Sequence, residues 1–230
     1  MDGMTRLRTE VGRQSLVAVV GSQWRFHPCV LRLRELLAAG SLGALRSASV
    51  DYAEYLPDWH PYEDYRESYA ARAALGGGVV LTQIHDYDLA WWLFGPVTQV
   101  SATGGHLSAL EIDVEDTVEA SLAARLCPVT VRQCFAARPP HRTITVHGTL
   151  GVATLDLLAA SLTVSPAVVA PFTVAAYQRN EMFLAEVYNF LACIGGTAQP
   201  IAPLEDGISV LQVALSVKTA LTTGRTVEIA

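Results

Sequence analysis

Residues 76–95 read GGGVVLTQIHDYDLAWWLFG, and within them His85 and Asp88 have the types and spacing to move a proton. Three residues apart, the two would share one face of a helix. Thr82 or Gln83 can open that helix, which places His85 in its first turn, where unpaired backbone N–H groups concentrate positive potential. Such a site favours the neutral imidazole, able to take a proton from an alcohol and return one to the ketone. Asp88 would orient the ring or meet the substrate, which makes the pair the candidate catalytic residues. A buried helix-start histidine satisfied by backbone groups fits the same pattern. The preceding Gly76, Gly77 and Gly78 allow a sharp turn that delivers the next strand and His85 to a cleft. They suit close approach to another surface, or simply a packed corner.

A second cluster lies upstream, in Pro57–Arg72 (PDWHPYEDYRESYAAR), a long connection without regular period. Such loops are usually functional. Trp59, Tyr62, Tyr65 and Tyr69 offer flat faces and hydroxyls suited to sugar rings. Arg66 and Arg72, with His60 and Asp64, can bind hydroxyls, or a phosphate or carboxylate. A lid over the core or an oligomer contact would use the same aromatics. His27, His60, His106, His141 and His147 show no metal-ligand spacing, so no metal site is expected.

The elements that must hold these residues follow from periodicity. Residues 5–14 read as a helix and 16–20 as a short strand. Helix 26–39 has Pro28 in its first turn and Gly40 at its stop, and strand 45–55 follows. After a helix from about Gln83 to Phe94, β-runs occupy 97–106, 115–126, 129–138, 141–147, 151–156 and 160–164. Helices over 179–194 and 204–223 precede a terminal strand, TVEIA. Partly segregated helices and strands indicate an α+β fold: a large, mostly antiparallel sheet with helices on one face. The simplest organisation is one domain over residues 1–230. Trp91 and Trp92 belong to the core, and Arg142 and Asp156 read as strand-edge pairing residues. Apolar residues at outward strand positions suggest self-association through the other sheet face.

Composition narrows the function. The 230 residues are 51% hydrophobic and 17% charged, with net charge −6, which describes a globular chain without the basic face that nucleic acid requires. No run approaches the length of a bilayer span, and the N-terminal segment lacks the layout of a secretory signal. Cys29, Cys127, Cys134 and Cys193 are scattered in apolar contexts, which points to a reduced, cytoplasmic protein. There is no G-x-G-x-x-G to bring backbone against a pyrophosphate, and no Walker-type loop.

Five segments in register carry a family likeness. They are VAVVGSQWRFHP with the G-x-L-G turn at Gly40–Gly43, the GGG-to-WLFG segment, EDTVEASL, RTITVHGTLGVATLD, and APLEDGISVLQVALSVKTALTTGRTVEI. On these, over roughly residues 15–230, the chain resembles the C-terminal substrate-binding domain of the Gfo/Idh/MocA oxidoreductases, the glucose–fructose oxidoreductase and inositol dehydrogenase group. The resemblance implies NAD or NADP in the complete enzyme, held by an N-terminal Rossmann domain that a lysine in an E-K-P motif follows. Both precede the matched region. This chain alone is therefore expected to bind no cofactor, and a separate Rossmann-domain chain becomes a natural partner.

The resemblance also implies that His85 is the catalytic or substrate-contacting histidine at the rim of the nicotinamide site. Arg25, in WRFHP, resembles the family's arginine near the active site; a salt bridge anchoring the helix start is its other role. Where many members have aspartate before the histidine, this chain has Leu81 and Thr82, so Thr82 and Gln83 would supply polar contacts. Gly76–Gly78 would face the cofactor side. The expected function is the substrate domain of an NAD(P)-dependent oxidoreductase acting on a sugar, inositol or nucleotide-sugar hydroxyl or ketone. A non-catalytic sugar-binding or oligomerisation module derived from that family is the alternative. The expected partners are a sugar-like small molecule and further copies of the chain.

Overall fold

The structure is a computed structural model that describes residues 2–166 and 169–229. A helix α1 (Asp2–Arg13) leads into an extended segment, a 3-10 turn (Gln23–Phe26) and α2 (Pro28–Ala38). Residues 16–20 form no strand; only Val19 makes a bridge, to Pro203. Helix α2 starts two residues later than the periodicity suggests. His27 is extended and caps it, its Nδ1 accepting from the Cys29 N–H at 3.2 Å. Proline at the first position suits that start, because its missing N–H would be unpaired there anyway.

Strand β1 (Leu45–Tyr55) enters the sheet at the predicted residues. The long connection after it is a chain of four 3-10 turns: Leu56–Asp58, Tyr65–Glu67, Tyr69–Ala71 and Ala73–Leu75. Next come α3 (Val79–Thr82) and α4 (Ile84–Phe94), separated at Gln83, whose φ of −103° and ψ of 38° leave the helical region. The predicted single helix from Gln83 is thus preceded by a helical turn where a strand was expected. Strands β2 (Val97–Gly105), β3 (Thr117–Ala124), β4 (Pro128–Cys134), β5 (Ala136–Gly148), β6 (Val152–Asp156), β7 (Ser161–Ser165) and β8 (Phe172–Thr173) follow. Helices α5 (Asn180–Ile194) and α6 (Leu204–Thr223) and strand β9 (Val227–Glu228) complete the described chain.

The nine strands form one sheet in the order β8-β7-β6-β5-β1-β4-β3-β2-β9. Only β1 and β4 run parallel; every other neighbouring pair is antiparallel. Side chains alternate across a strand, so each strand divides its residues between two faces. Inward go Val118, Ala120, Leu122, Val129, Val131, Val50, Ile144, Val146, Leu155 and Leu162, all buried. Helix α4 covers them over β1 and β4, α6 over β2, and α2 over β6 and β7.

The opposite face corrects the sequence reading. Its positions on the central strands carry Ser49, Asp51, Glu119, Ser121, Thr130, Arg132, Thr143 and Thr145 rather than apolar residues. Asp51, Arg132 and Glu119 lie in register across β1, β4 and β3, and Arg132 donates to both carboxylates at 2.8 Å.

The glycine triplet is a packed corner. Gly76 turns the chain with φ 79°, and the Gly77 N–H donates to the Arg72 carbonyl at 2.9 Å. A Cβ on Gly77 would lie 2.4 Å from the Tyr69 carbonyl oxygen and 2.7 Å from that of Ala70. On Gly78 it would collide with the Glu115 carboxylate, which Lys218 pairs at 3.0 Å. Gly77→Ala should therefore destabilise the protein by about 1–3 kcal/mol, as overpacking of a tight site does. Urea denaturation checks this, and a variant as stable as the parent contradicts the packing described.

Candidate active-site cleft

Three neighbouring strands, β5, β1 and β4, supply the floor of the cleft. Tyr52 on β1 pairs in register with Arg142 on β5, and on its other side with Gln133 on β4. All three point to the helix-covered face and are buried. The Arg142 guanidinium lies between two rings, its carbon 4.8 Å from the Trp24 centroid and 4.5 Å from that of Tyr52. Its Nη2 donates to Oε1 of Gln83 and stands 3.3 Å from Oδ1 of Asp86. Gln133 Nε2 donates to Asp86 Oδ2 at 2.9 Å and to the Gln83 carbonyl at 2.7 Å. The gap between α3 and α4 is therefore held from the sheet below, by groups that bond the Gln83 side chain and add a second donor to its carbonyl, which also accepts from the Asp86 N–H at 3.1 Å. Asp86 is fully buried; burial pushes its carboxyl up, while Arg142 and Gln133 act to hold it down.

Above this floor opens a cleft of about 690 Å³, well within the range of small-molecule sites. Its wall includes Thr82, Gln83 and His85 from the helix junction, and Trp59, His60 and Tyr69 from the aromatic connection. Arg138, Tyr177 and Arg179 close the far side. His85 is the second residue of α4, in its first turn as predicted. Its pKa falls to about 4, through burial first and then the positive charges of Arg142 and Arg179. The imidazole is neutral at physiological pH and can accept a proton.

Several predicted residues stand elsewhere. Asp88 does not reach His85, because Arg25 engages both its oxygens, Nε to Oδ2 at 3.0 Å and Nη2 to Oδ1 at 2.6 Å. Arg25 is fully buried and also donates to the Ile201 carbonyl at 2.8 Å and to Asp206 at 2.5 Å. The two residues clamp α4 to the 3-10 turn before α2 and to the start of α6, away from the cleft. Tyr62 is 79% exposed and meets His60 Nδ1 at 3.0 Å. Tyr65 accepts from the Glu111 N–H at 3.2 Å. Arg66 is paired with Asp64 and Glu111, and Arg72 with Glu67; both line a separate shallow depression. Gly76, Gly77 and Gly78 are not on the cleft wall; Gly77 and Gly78 pack against neighbouring segments instead. Of the predicted binding residues, Trp59, Tyr69, Thr82 and Gln83 do line it, with His85.

Residues that the sequence reading passed over complete the site, Trp24, Tyr52, Asp86, Gln133, Tyr177 and Arg179, together with Arg142, which is no strand-edge pairing residue but a buried cleft residue on the inward face of β5. A signal for three of them was present. Tyr52, Gln133 and Arg142 occupy the same parity as Val50, Val131 and Ile144, so a polar group was to be expected on the inward face.

With this geometry in place, comparison with known proteins is decisive for ancestry. The sequence profile of the GFO/IDH/MocA C-terminal domain matches residues 30–154, more than half of the chain. The chain belongs to the Gfo/Idh/MocA family. A search among curated proteins gives no match. Solved structures share the fold at low identity. An oxidoreductase from Agrobacterium radiobacter, in complex with NAD+, L-tartaric acid and magnesium, superposes with TM-score 0.80 at 16% identity, over 98% of this chain and 68% of that one. The WlbA dehydrogenase from Bordetella pertussis, in complex with NADH and UDP-GlcNAcA, gives 0.78 at 19% identity, over 100% and 68%. A levoglucosan dehydrogenase in complex with NADH gives 0.80 at 18% identity, over 94% and 66%. The Gfo/Idh/MocA chain described here thus spans about two thirds of these relatives. Its glycine triplet does not fit a pyrophosphate cradle: the carbonyls of Tyr69, Ala70 and Arg72 crowd Gly77, and the Glu115 carboxylate crowds Gly78.

Two outcomes follow from the buried groups. Arg25→Ala leaves the Asp88 carboxylate buried and uncompensated, which should lower stability by about 3–5 kcal/mol in denaturant titrations; a variant of parental stability contradicts the clamp. His27, fully buried, has its pKa brought down to about 4 by burial, as His85 does. Unfolded histidine titrates near ~6.5, so between about 6.5 and 4 the unfolded chain binds more protons than the folded one. Stability should fall as pH drops through that window, and the urea midpoint at pH 5 should lie below that at pH 7. Equal midpoints would show that the two rings protonate freely in the folded state.

Proposed function

We propose that this chain is the substrate-binding domain of an NAD(P)-dependent oxidoreductase acting on a sugar, inositol or nucleotide-sugar hydroxyl or ketone. The observation that carries the reading is a neutral imidazole on the wall of a substrate-sized cleft, fixed by a buried network beneath it. His85 Nδ1 and Nε2 give one site for the substrate's hydroxyl proton and one for a positioning contact. Trp59 and Tyr69 offer faces for a sugar ring, and Thr82 and Gln83 polar contacts to its hydroxyls. The Agrobacterium and Bordetella relatives, whose ligands are a hydroxy acid and a sugar nucleotide, support a polyhydroxylated substrate.

The nicotinamide, which accepts or supplies the hydride, is presented by a separate dinucleotide-binding unit. This chain's part is to bind and orient the substrate, exclude water and hold its proton. Helix α5, which begins immediately after the cleft residue Arg179, offers such a unit a surface. Leu184, Val187, Tyr188, Leu191 and Ile194 recur along one side of it and are 45–66% exposed, an apolar stripe far beyond scattered surface residues. Self-association through the open sheet face would instead rest on the polar ladder around Arg132. The filled glycine corner favours a second reading, a non-catalytic sugar-binding or oligomerisation module.

Reconstitution with the dinucleotide-binding unit separates the two. The enzyme reading expects turnover that His85→Ala reduces by about 10² or more. Unchanged turnover removes His85 from the mechanism, and a coding sequence upstream of Met1 without G-x-G-x-x-G and E-K-P favours the module.

A further inference from the structure

Beyond a sugar ring, the cleft is built to hold negative charge. We propose that its substrate carries an anionic oxygen group, a carboxylate or a phosphate, close to the reacting hydroxyl, and that Arg142 and Arg179 select for it. The inference rests on the reading of the cleft as a substrate site.

Three arginines line the cleft, and they are not equivalent. Arg138 is held by Asp58 through two bonds, at 2.7 and 2.5 Å. Arg179 has no carboxylate partner among the described residues; its guanidinium lies only against the Phe183 ring, at 5.7 Å. Arg142 is 6% exposed, with its guanidinium carbon 4.8 Å from the Trp24 ring centroid and 4.5 Å from that of Tyr52. Nη2 is its bonded end, to Gln83 and beside Asp86 at 3.3 Å, while Nε is buried without an acceptor. A guanidinium immobilised by stacking, with bonding capacity left over, is preorganised for an oxyanion and loses little entropy on meeting one.

The neutral groups around it are of matching character. Trp59 Nε1, Thr82 Oγ1 and Tyr177 OH, all on residues of the cleft wall, are likewise buried without partners. Trp59 Nε1 and Arg142 Nε can only donate, so the missing complement is an acceptor. A carboxylate or phosphate offers acceptors only.

Of the acidic groups near His85, Asp86 stands 3.3 Å from Arg142 Nη2 and offsets part of its charge. Asp58 is neutralised by Arg138. Glu54 sits two residues beyond Tyr52 on β1, accepts from its hydroxyl at 3.2 Å, and acts on Tyr52 and Asp86. The charges that act on His85 are those of Arg142 and Arg179. An anion near the imidazole therefore meets Arg179, which no described carboxylate pairs, and the part of the Arg142 charge that Asp86 leaves, in a site partly withdrawn from water where charge pairs are strengthened.

Calorimetric titration of the full chain with glucose, glucuronate and glucose 6-phosphate tests this. At low ionic strength at least one of the two anionic sugars should bind about 10-fold or more tighter than glucose, as one charge-assisted contact provides. Added salt should narrow the gap, and the tighter of the two identifies the group. Arg179→Gln, a substitution of an exposed side chain that leaves the fold intact, should bring the preference close to one; Arg142→Lys should weaken it while keeping the charge. Equal binding of all three sugars, or a preference that Arg179→Gln leaves unchanged, overturns the proposal and leaves the sugar-binding reading standing. Binding of none of the three overturns both.

Discussion

The structure around the cleft depends on one buried arrangement, the contact of Arg142 and Gln133 from the sheet with Gln83 and Asp86 at the helix junction. At the interruption the Gln83 N–H still bonds back to the Val79 carbonyl at 3.0 Å and its own carbonyl accepts from the Asp86 N–H at 3.1 Å, but its side chain and the second lone pair of that carbonyl are left over. Gln133 takes the Gln83 carbonyl, and Arg142 takes its side chain. Because the donors stand in register on either side of Tyr52, in a sheet whose register is locked by its buried face, the junction is fixed from below. His85, one helical position away from Ile84 and flanked by Asp86, inherits that fixity.

The same arrangement sets the electrostatics. A guanidinium stacked between two aromatic rings keeps its charge in a place where water is scarce. Asp86 compensates it in part, and the remaining field, with that of Arg179, lies over His85. Desolvation and positive charge act in the same direction, so the imidazole stays neutral and available as a base. Arg25 and Asp88 form a second buried ion pair of different consequence. It joins α4 to α6 and to the turn before α2, and so holds the helical layer in place rather than contributing to the cleft.

The Pro57–Arg72 connection illustrates how one segment is divided by its turns. Successive 3-10 turns send Trp59, His60 and Tyr69 to the cleft, while Arg66 and Arg72 are drawn into pairs with neighbouring carboxylates. Local acidic residues outcompete a distant ligand for those guanidinium groups. The aromatic content of the loop was readable; which aromatics point inward was not, because a 3-10 turn of three residues carries no periodicity long enough to show a face.

Alternation of apolar and polar residues by itself determined the strands, the inward face of the sheet and the long helices, since side-chain period follows directly from backbone geometry. The segments shared with the Gfo/Idh/MocA family, and the place of His85 in the first turn of a helix, were likewise written in the chain. Only the tertiary structure decided which charges meet. Asp88 lies three residues from His85 yet bonds to Arg25, sixty-three residues away, and Arg142 reaches Gln83 across fifty-nine. Burial makes an unpaired charge so costly that each is drawn to the partner the fold brings near, and sequence spacing carries no record of that choice.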